Sequence, residues 1–328
     1  AVSTDGVWST NGPEVTVTTP YLPKVYYSDS NGSKQEDIRQ DIKPKFPVIA
    51  GVDIEADTDE NGYTKARITE AGISDAIGRA IEKAKENEKE ADGIGIDINI
   101  KSSDKTTSMG IILEQKVLEN LINAEIKELR INSGLISIKL DFTAIRELLK
   151  VSGSDVTITI KPADNLSDEA KEIIGTRPVY DITITYIKNG KVENISSLGE
   201  GLSLIAIPYT MCYTTCYTPC YTPDEEETTG YLTGIFVDSK GKATRIDSSV
   251  YDENNGVMFI LTNHFSIYGI GYVAPEIKYN DIGDHPAKEA IDNLLSRGII
   301  IESPSKKFSP DKAITRGELA TVLGKLAK

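Results

Sequence analysis

The sequence predicts an α+β chain of several modules, and three patterns indicate this. Residues 46–165 repeat a strand–helix–strand unit three times, and residues 166–274 form a β-rich, sandwich-like module in which apolar and polar residues alternate with a period of two. Residues 275–328 have the helical spacing of a small helix–loop–helix unit. Residues 1–45 are rich in Thr, Ser, Pro and Gly, and this composition predicts an extended lead-in.

Composition limits the classes of function that the chain can have. Its 328 residues carry a formal charge of −14, and 39% of them are hydrophobic, which is typical of a folded chain of two or more domains. The acidic balance argues against nucleic-acid binding, which needs clustered Lys and Arg. No apolar run approaches the roughly eighteen residues of a membrane span. No signal peptide begins at Ala1, so we expect an export signal to have been removed, or the chain to be part of a larger protein.

The first predicted strands follow the lead-in directly. Residues 47–56 and 63–69 are predicted to be two strands joined by the turn 59–62, because its Asn61-Gly62 pair is a strong hairpin signal. The same stretch partly matches a calcium-binding loop through Asp57, Asp59 and Asn61. The twelfth position of that loop is Ile68 instead of the Glu that calcium requires, so the hairpin explains the residues equally well.

An internal repeat predicts the three strand–helix–strand units. Ile68-Thr69, Leu113-Glu114 and Leu140-Asp141 each end a strand and begin a helix, with a capping residue at the boundary. Apolar residues recur at the same three positions after each boundary, namely Ile73, Ala76 and Ile77; Leu118, Leu121 and Ile122; Ile145, Leu148 and Leu149. Each triplet marks one buried helical face, so we expect a sheet covered by helices on one face.

The β-rich module is predicted from alternating residues and turn signals. The expected strands are 178–187, 191–196, 202–208, 231–237, 242–246, 257–262 and 265–272. Turns are predicted at Asn189-Gly190, 239–241 and 254–256, and Pro275 opens the linker to the last unit. These patterns favour an antiparallel β-sandwich.

A four-residue repeat of Tyr-Thr-x-Cys carries all three cysteines, Cys212, Cys216 and Cys220. An odd number of thiols leaves at least one unpaired within the chain, so one hypothesis is an intermolecular disulfide, and another is capture of a soft metal. The alternative is a tolerated expansion of the loop between strands 202–208 and 231–237, since long loops cost little closure entropy.

No catalytic constellation is evident, so we do not predict an enzyme. His264 and His285 are the only histidines, which excludes a metal site of several imidazoles, and no Gly-x-Ser-x-Gly motif accompanies them. His264 is interpreted as a structural residue. An exported hydrolase of polysaccharide or peptide, with the β-rich module as an accessory, remains the alternative. It would need a cleft that holds two carboxylates or a nucleophile–base pair.

The last unit is predicted to contain two short helices. Ala287, Ile291, Leu294 and Leu295 recur at helical spacing, and Gly298 follows where that helix ends. Thr315 caps the second helix, whose inward residues are expected to be Leu319, Val322, Leu323 and Leu326. We expect Tyr279, Ile291 and Phe308 to meet in one apolar nucleus.

Several motifs of this unit resemble the S-layer homology (SLH) family. They are Tyr279-Asn280-Asp281-Ile282, His285-Pro286-Ala287, Gly298-Ile299-Ile300, Phe308-Ser309-Pro310-Asp311 and Ile314-Thr315-Arg316-Gly317-Glu318-Leu319-Ala320. The resemblance implies one SLH repeat, of a kind that usually occurs in threes and binds anionic, often pyruvylated, polymers attached to peptidoglycan. Pro286 stands where the family usually has Trp, which removes an aromatic surface for a sugar, and Gly317 stands where the family has Ala. Residues 46–274 also resemble modules that precede SLH repeats in surface proteins of Gram-positive bacteria.

The resemblance leads to a functional expectation. It implies a non-catalytic, secreted, extracellular protein of the cell wall or S-layer, with the N-terminal modules as a spacer or a cell-adhesion surface. The expected partner is a secondary cell-wall polymer or another peptidoglycan-linked glycan, and other surface proteins are further candidates. No cofactor is implied. The positions that match the family's motifs, and so are expected to bind the polymer, are Asp281, His285, Arg316 and Glu318.

Overall fold

The protein is a mixed α/β structure with two β-sheets. The computed structural model describes residues 46–209, 229–274, 279–296, 298–300 and 305–326. Within these residues the helices are α1 (Glu70–Glu86), α2 (Gln115–Asn123), α3 (Phe142–Ser152), α4 (Asp168–Ile174), α5 (Lys288–Ser296) and α6 (Arg316–Leu326).

The strands of the described residues divide between the two sheets. In chain order they are β1 (Val48–Glu55), β2 (Asp57–Thr58), β3 (Tyr63–Ile68), β4 (Ile94–Lys101), β5 (Ser108–Leu113), β6 (Glu128–Asn132), β7 (Ser137–Asp141), β8 (Val156–Pro162), β9 (Val179–Lys188), β10 (Lys191–Asn194), β11 (Ser203–Pro208), β12 (Leu232–Val237), β13 (Ala243–Ile246), β14 (Val250–Asp252), β15 (Val257–Thr262) and β16 (Ile267–Tyr272).

One sheet has seven strands and the other has nine. The seven-stranded sheet has the order β1-β4-β6-β7-β11-β15-β14, in which β1, β4 and β6 are parallel and the remaining neighbours are antiparallel. The nine-stranded sheet has the order β13-β12-β16-β9-β8-β5-β3-β2, with β10 paired to β9. There, β3 and β5 are parallel and the other neighbouring strands are antiparallel.

A single apolar core joins the two sheets and the first three helices. Alternate residues of a strand point to one face, which places Ile96 and Ile98 of β4 and Ile158 of β8 in this core, each with no exposed surface. Helix α1 adds Ile73 and Ala76 to the same core. The apolar faces of the strands and of the helices therefore pack together in one core.

The three predicted strand–helix–strand units are present, but they are arranged differently from the expectation. Helices α1, α2 and α3 begin directly after the predicted boundaries, and Asp141 caps α3 by accepting the N–H of Ala144 at 2.7 Å. The first two helices lead from the nine-stranded sheet to the seven-stranded one, and the third leads back. The expectation of one sheet covered by helices is thus corrected. Periodicity identifies a buried face without identifying the sheet that buries it.

The predicted hairpin after the lead-in is corrected in the same way. The turn 59–62 forms, and Gly62 has a φ of 80°, the left-handed conformation that glycine adopts freely. The strand that pairs with β3 across this turn is the two-residue β2, whereas β1 pairs with β4 in the other sheet. The chain thus changes sheets at Ala56, a point that no local sequence signal marks.

The boundary predicted between residues 165 and 166 does not separate two bodies in the structure. Strands from both sides of it pair in each sheet, as β7 with β11 and β8 with β9 show. The seven predicted strands of the β-rich module are present with small shifts, and Asn189 and Gly190 both have positive φ in the β9–β10 turn. Two short elements, α4 and β14, were not predicted. Helix α4 buries only Ala170 and Ile174, too few residues for a clear periodicity.

Candidate functional site

The C-terminal unit, residues 279–326, is built on a small apolar nucleus of its own. The rings of Tyr279 and Phe308 meet edge to face, with centroids 5.4 Å apart. Ile282, Ile291 and Leu295 complete the nucleus and are each at most 5% exposed. The prediction that Tyr279, Ile291 and Phe308 gather in one nucleus is therefore confirmed.

Helix α5 ends where the sequence predicts. Gly298 has a φ of 70°, and its N–H donates to the carbonyl of Leu295 at 2.9 Å. The N–H of Ile299 then donates to the carbonyl of Leu294 at 2.9 Å, so the last turn of the helix is closed by the residues that leave it. A side chain at position 298 would be strained, which explains the glycine.

Asp281 ties the start of the unit to the loop before its second helix. Its two carboxylate oxygens accept the N–H groups of Phe308 and Ser309 at 2.9 and 2.8 Å. These hydrogen bonds lower the pKa of Asp281, and the charge of Lys307 lowers it further. The first predicted polymer-binding residue thus has a structural task, and both of its oxygens contribute to it.

His285 links the same two parts of the unit. Its Nδ1 accepts the N–H of Ala287 at 3.1 Å, and its Nε2 lies 3.4 Å from Oδ1 of Asp311. Because Nδ1 is an acceptor, we assign the proton of the neutral ring to Nε2, from which it points to the carboxylate. The Asp311 side chain is 93% exposed, so this contact lies at the surface.

The start of α6 is a reciprocal capping box. Oε2 of Glu318 accepts the N–H and the hydroxyl of Thr315 at 2.8 and 2.7 Å, and the N–H of Glu318 donates to Oγ1 of Thr315 at 3.2 Å. The bonds from Thr315 lower the pKa of Glu318. Arg316, the remaining predicted site residue, is exposed in the first turn of the helix.

The apolar face of α6 does not pack as expected. Leu319 and Leu323 were predicted to point inward, but they are 45% and 55% exposed, and Ile314 before the helix is 56% exposed. Val322 is half-buried, and Nζ of Lys325 donates to the carbonyl of Gly298 at 2.9 Å. Helical spacing showed correctly that one face is apolar, but the pattern contains no information on what covers that face.

The loop and second helix of this unit are basic, although the chain as a whole is acidic. Residues 305–325 contain five Lys or Arg side chains, Lys306, Lys307, Lys312, Arg316 and Lys325, against the two carboxylates of Asp311 and Glu318, which is a formal charge of +3. The whole chain has a formal charge of −14. The carboxylate of Asp281, which binds the N–H groups of Phe308 and Ser309, offsets one of these charges, so the segment is a modest positive region in an acidic chain.

The unit docks against the nine-stranded sheet through α5. The hydroxyl of Ser296 donates to the carbonyl of Gly230 at 3.0 Å, and the guanidinium of Arg245 donates to the carbonyl of Ser296. Beside this contact, Nζ of Lys288 lies 2.7 Å from the carboxylate of Asp292, which is 4% exposed. Sequence reasoning missed this junction, because Gly230 and Arg245 lie far from α5 along the chain.

A shallow cleft of about 660 Å³ lies beside the junction. Its polar lining includes Glu172, Lys242, Arg245 and Tyr272. Arg245 also donates to Ser296 of the C-terminal unit, and Arg177 stacks over the ring of Tyr272 at 5.0 Å. The cleft thus borders the contact between the sheet and the C-terminal unit.

The other predicted site residues lie elsewhere or outside the described residues. Asp57, Asp59 and Asn61 were the calcium candidates. Oδ1 of Asp59 accepts the N–H groups of Asn61 and Tyr63 at 2.8 and 2.9 Å, so the Asp59 carboxylate organises the turn. In the part of the chain that the structure describes, no group of three or more His, Cys, Asp or Glu side chains is placed to hold a metal ion. Cys212, Cys216 and Cys220 lie outside the described residues.

His264 lies in an aromatic setting. Its ring is 5.1 Å from that of Phe236 and 5.9 Å from that of Tyr268, and its Nδ1 is 3.1 Å from the hydroxyl of Thr262. Burial lowers the pKa of His264, because the protonated ring would lose solvation there. Burial raises the pKa of the neighbouring Tyr268 to about 12.

Comparison with known proteins identifies the C-terminal unit. Residues 278–320 match the family model of the S-layer homology domain. No curated protein and no solved structure matches the chain. Among the described residues, no helix has the length and apolar character needed to cross a membrane.

The match confirms the resemblance seen in the motifs and has a functional meaning. An SLH domain indicates association with the cell surface through a cell-wall polymer. The roles of Asp281, His285, Arg316 and Glu318 toward that polymer stay predictions. The geometry does bring Asp281 and His285 to the same loop, 305–312, and places Arg316 and Glu318 in the turn that follows it.

Proposed function

We propose that this protein is a non-catalytic extracellular protein anchored to the wall of a Gram-positive bacterium by its SLH unit. The unit binds a secondary cell-wall polymer or another peptidoglycan-linked glycan, and the two-sheet body acts as a spacer or an adhesion surface. The observation that supports this most is the formal charge of +3 on residues 305–325, in a chain whose formal charge is −14. A positive region suits an anionic polymer, since complementary charge attracts and orients a ligand.

The hydrogen bonds of the two carboxylates predicted at the site support binding of the polymer by the basic side chains. Asp281 and Glu318 both accept backbone N–H groups within the unit, so one side chain holds a loop and the other caps α6. Arg316 is exposed in the first turn of α6, two residues before Glu318, and its guanidinium can pair with a carboxylate or phosphate through two parallel hydrogen bonds. We therefore assign recognition of the polymer's anionic groups to Arg316, with Lys312 contributing charge.

Aromatic stacking has little part in this proposal. Pro286 occupies the position where SLH repeats usually have Trp, and the rings of Tyr279 and Phe308 pack against each other in the nucleus. Binding that depends on exposed charge should weaken as salt concentration rises, because ions screen such contacts.

Binding of the full chain to purified, pyruvylated wall polymer tests the proposal. We expect Arg316→Ala and Lys312→Ala each to weaken binding by up to about fivefold, the range measured for exposed ion pairs. Lys240→Ala is the matched control, because Lys240 is an exposed lysine in a turn of the two-sheet body. Equal weakening by Lys240→Ala, or binding that does not change between low and high salt, would contradict the proposed site.

A further inference from the structure

The cleft beside the C-terminal unit is walled by packed elements of the two-sheet body. Its lining comes from α4, from the edge strand β13 with the residue before it, and from the end of β16. Ala170 of α4 packs with Ala243 of β13 in one buried apolar cluster, which fixes these two walls to each other. The lining side chains with polar atoms therefore stand on a fixed frame, and they are Glu172, Lys242, Thr244, Arg245 and Tyr272.

Two cations from different parts of the chain flank Gly298 beside this cleft. The guanidinium of Arg245 donates from Nη1 to the carbonyl of Ser296, and its Nη2 would lie 3.2 Å from a Cβ added at Gly298. From the other side, Nζ of Lys325 in α6 donates to the carbonyl of Gly298 at 2.9 Å. The two-sheet body and the SLH unit thus each bring one positive side chain to the same residue.

The positive charges at this place are not neutralised by nearby carboxylates. In the part of the chain that the structure describes, no carboxylate forms an ion pair with Lys242, Arg245 or Lys325, although the chain has 50 acidic and 36 basic side chains. Asp238, the acidic residue nearest to Lys242 in the chain, uses its Oδ1 to accept the backbone N–H of Lys242 at 2.9 Å. Like charges held together repel one another, so such a group of cations favours the binding of an anion.

Tyr272 adds an aromatic surface to the lining of the cleft. Its half-buried ring meets that of Tyr231 edge to face, with centroids 5.6 Å apart, and the guanidinium of Arg177 lies over it at 5.0 Å. A tyrosine held in this way suits a ligand with both apolar and polar groups, such as a sugar ring. Pro286 removes the corresponding aromatic surface from the SLH unit, so the cleft offers a sugar a contact that the unit does not supply at that position.

We propose that this cleft is a second binding site for the anionic polymer and takes one acidic saccharide of it. Lys242 and Arg245 bind the acidic group, and Tyr272 contacts the sugar ring that carries it. The inference rests on the proposed function, because it concerns the same polymer, and it extends the binding surface from the SLH unit onto the two-sheet body. Arg245 is suited to this role because a guanidinium has several N–H donors, and the carbonyl of Ser296 accepts from Nη1.

A polymer suits this arrangement better than a small anion does. Its acidic groups repeat along one molecule, so different groups of the same molecule can contact residues 305–325 and the cleft, and linked contacts strengthen each other. Glu172 lines the α4 wall of the cleft and repels the same acidic groups. The cleft therefore contains charges of both signs, and each sign gives an opposite prediction for binding.

Single charge changes in the full chain test the cleft, with the affinity for purified, pyruvylated wall polymer as the measurement. We expect Lys242→Ala to weaken binding by up to about fivefold, the range of exposed ion pairs, and Lys242→Arg, which keeps the charge, to bind like the wild type. Glu172→Gln should strengthen binding by about twofold, because it removes a repelling charge. Both positions are exposed, so the melting temperatures of the variants should match that of the wild type.

Each substitution has a matched control outside the cleft. Lys240 is exposed in the same turn as Lys242, and Glu169 is exposed on the same helix as Glu172, but neither lines the cleft. Lys240→Ala and Glu169→Gln should therefore bind the polymer like the wild type.

The outcomes separate this inference from the proposed function. The inference is overturned if Arg316→Ala weakens binding while Lys242→Ala and Glu172→Gln leave it unchanged, and the proposed function then stands without the cleft. It is also overturned if the control variants change binding as much as the cleft variants, which would show a general effect of charge. If the wild type does not bind the polymer, the proposed function fails and the inference fails with it.

Discussion

The backbone N–H of Phe308 donates to the carboxylate of Asp281 at 2.9 Å, across twenty-seven residues of sequence. This bond fixes the loop before α6 to the start of the SLH unit, and the Phe308 ring then packs on Tyr279. The same carboxylate also accepts the N–H of Ser309. The loop that leads into α6 is therefore held in place by a residue that was itself predicted to bind polymer.

Asp281→Asn should loosen the SLH unit at neutral pH. An amide has one oxygen to accept hydrogen bonds and carries no charge, so it replaces the paired carboxylate poorly. Because the pKa of Asp281 is lowered from 3.8 in the folded state, its stabilising effect is complete above pH 3.8 and is lost as the pH falls through the folded pKa.

Thermal unfolding of the wild type and Asp281→Asn, measured from pH 7 to pH 2, tests this prediction. The difference between the two proteins should be largest near pH 7 and should shrink below pH 3.8. Asp284→Asn, at an exposed aspartate three residues further on, is the control and should unfold like the wild type at every pH. A constant difference across this range would show that the charge of Asp281 does not stabilise the unit.

Thr315→Ala should destabilise the start of α6 by about 1 kcal/mol, the usual cost of losing an N-terminal cap. The hydroxyl of Thr315 accepts the N–H of Glu318 and donates to its carboxylate. Hydrogen exchange of the first α6 amides should then be about fivefold faster. Thr321→Ala, inside the same helix, is the comparison and should not accelerate exchange at the first turn. Unchanged exchange in Thr315→Ala would show that the capping box is not needed.

Two Gly→Ala substitutions should have opposite effects on the two-sheet body. A Cβ at Gly201 would overlap the backbone of Ala144 at the start of α3, so Gly201→Ala should cost about 1–3 kcal/mol. A Cβ at Gly78 meets nothing within 4 Å on the exposed side of α1, so Gly78→Ala should stabilise by about 1 kcal/mol. Denaturant titrations measure both. No loss of stability in Gly201→Ala would contradict the packing at Gly201, and a loss in Gly78→Ala would contradict the open space at Gly78.

His264→Gln should change how stability depends on pH. Because burial lowers the pKa of His264 below 6.5, the unfolded chain takes up a proton first as the pH falls. Stability should therefore drop from pH 6.5 down to the folded pKa in the wild type. The glutamine variant loses the ring contacts at every pH, so it should be less stable than the wild type at pH 7. Because it lacks the drop in stability, its deficit relative to the wild type should become smaller from pH 7 to pH 5. If the melting temperatures of the wild type and His264→Gln change with pH in parallel, the burial of this ring is refuted.

The sequence allowed local structure to be predicted well, because caps, turns and periodicity are local. Helices α1, α2 and α3 start at the expected boundaries, and Gly298 ends α5 as expected. The pairing of strands was not predictable, because a buried strand reads the same in either sheet. This ambiguity explains two wrong predictions. Strands β1 and β3 lie in different sheets, and the two predicted modules share both sheets.

The C-terminal unit shows the same division between local and long-range information. Its motifs predicted the nucleus of Tyr279, Ile291 and Phe308 and the cap at Thr315. They did not indicate that Asp281 would bind backbone N–H groups twenty-seven and twenty-eight residues away. They also did not predict the contact between Ser296 and Gly230, which depends on an approach of distant backbone segments.

Sedimentation of the full chain with purified cell-wall sacculi tests the central claim most directly. Two sacculus preparations are needed, one that retains its secondary polymer and one from which the polymer has been stripped chemically. We predict that the protein sediments with the first and stays in solution with the second, and that high salt releases it. Equal sedimentation with both preparations, or with neither, would contradict anchoring through the SLH unit.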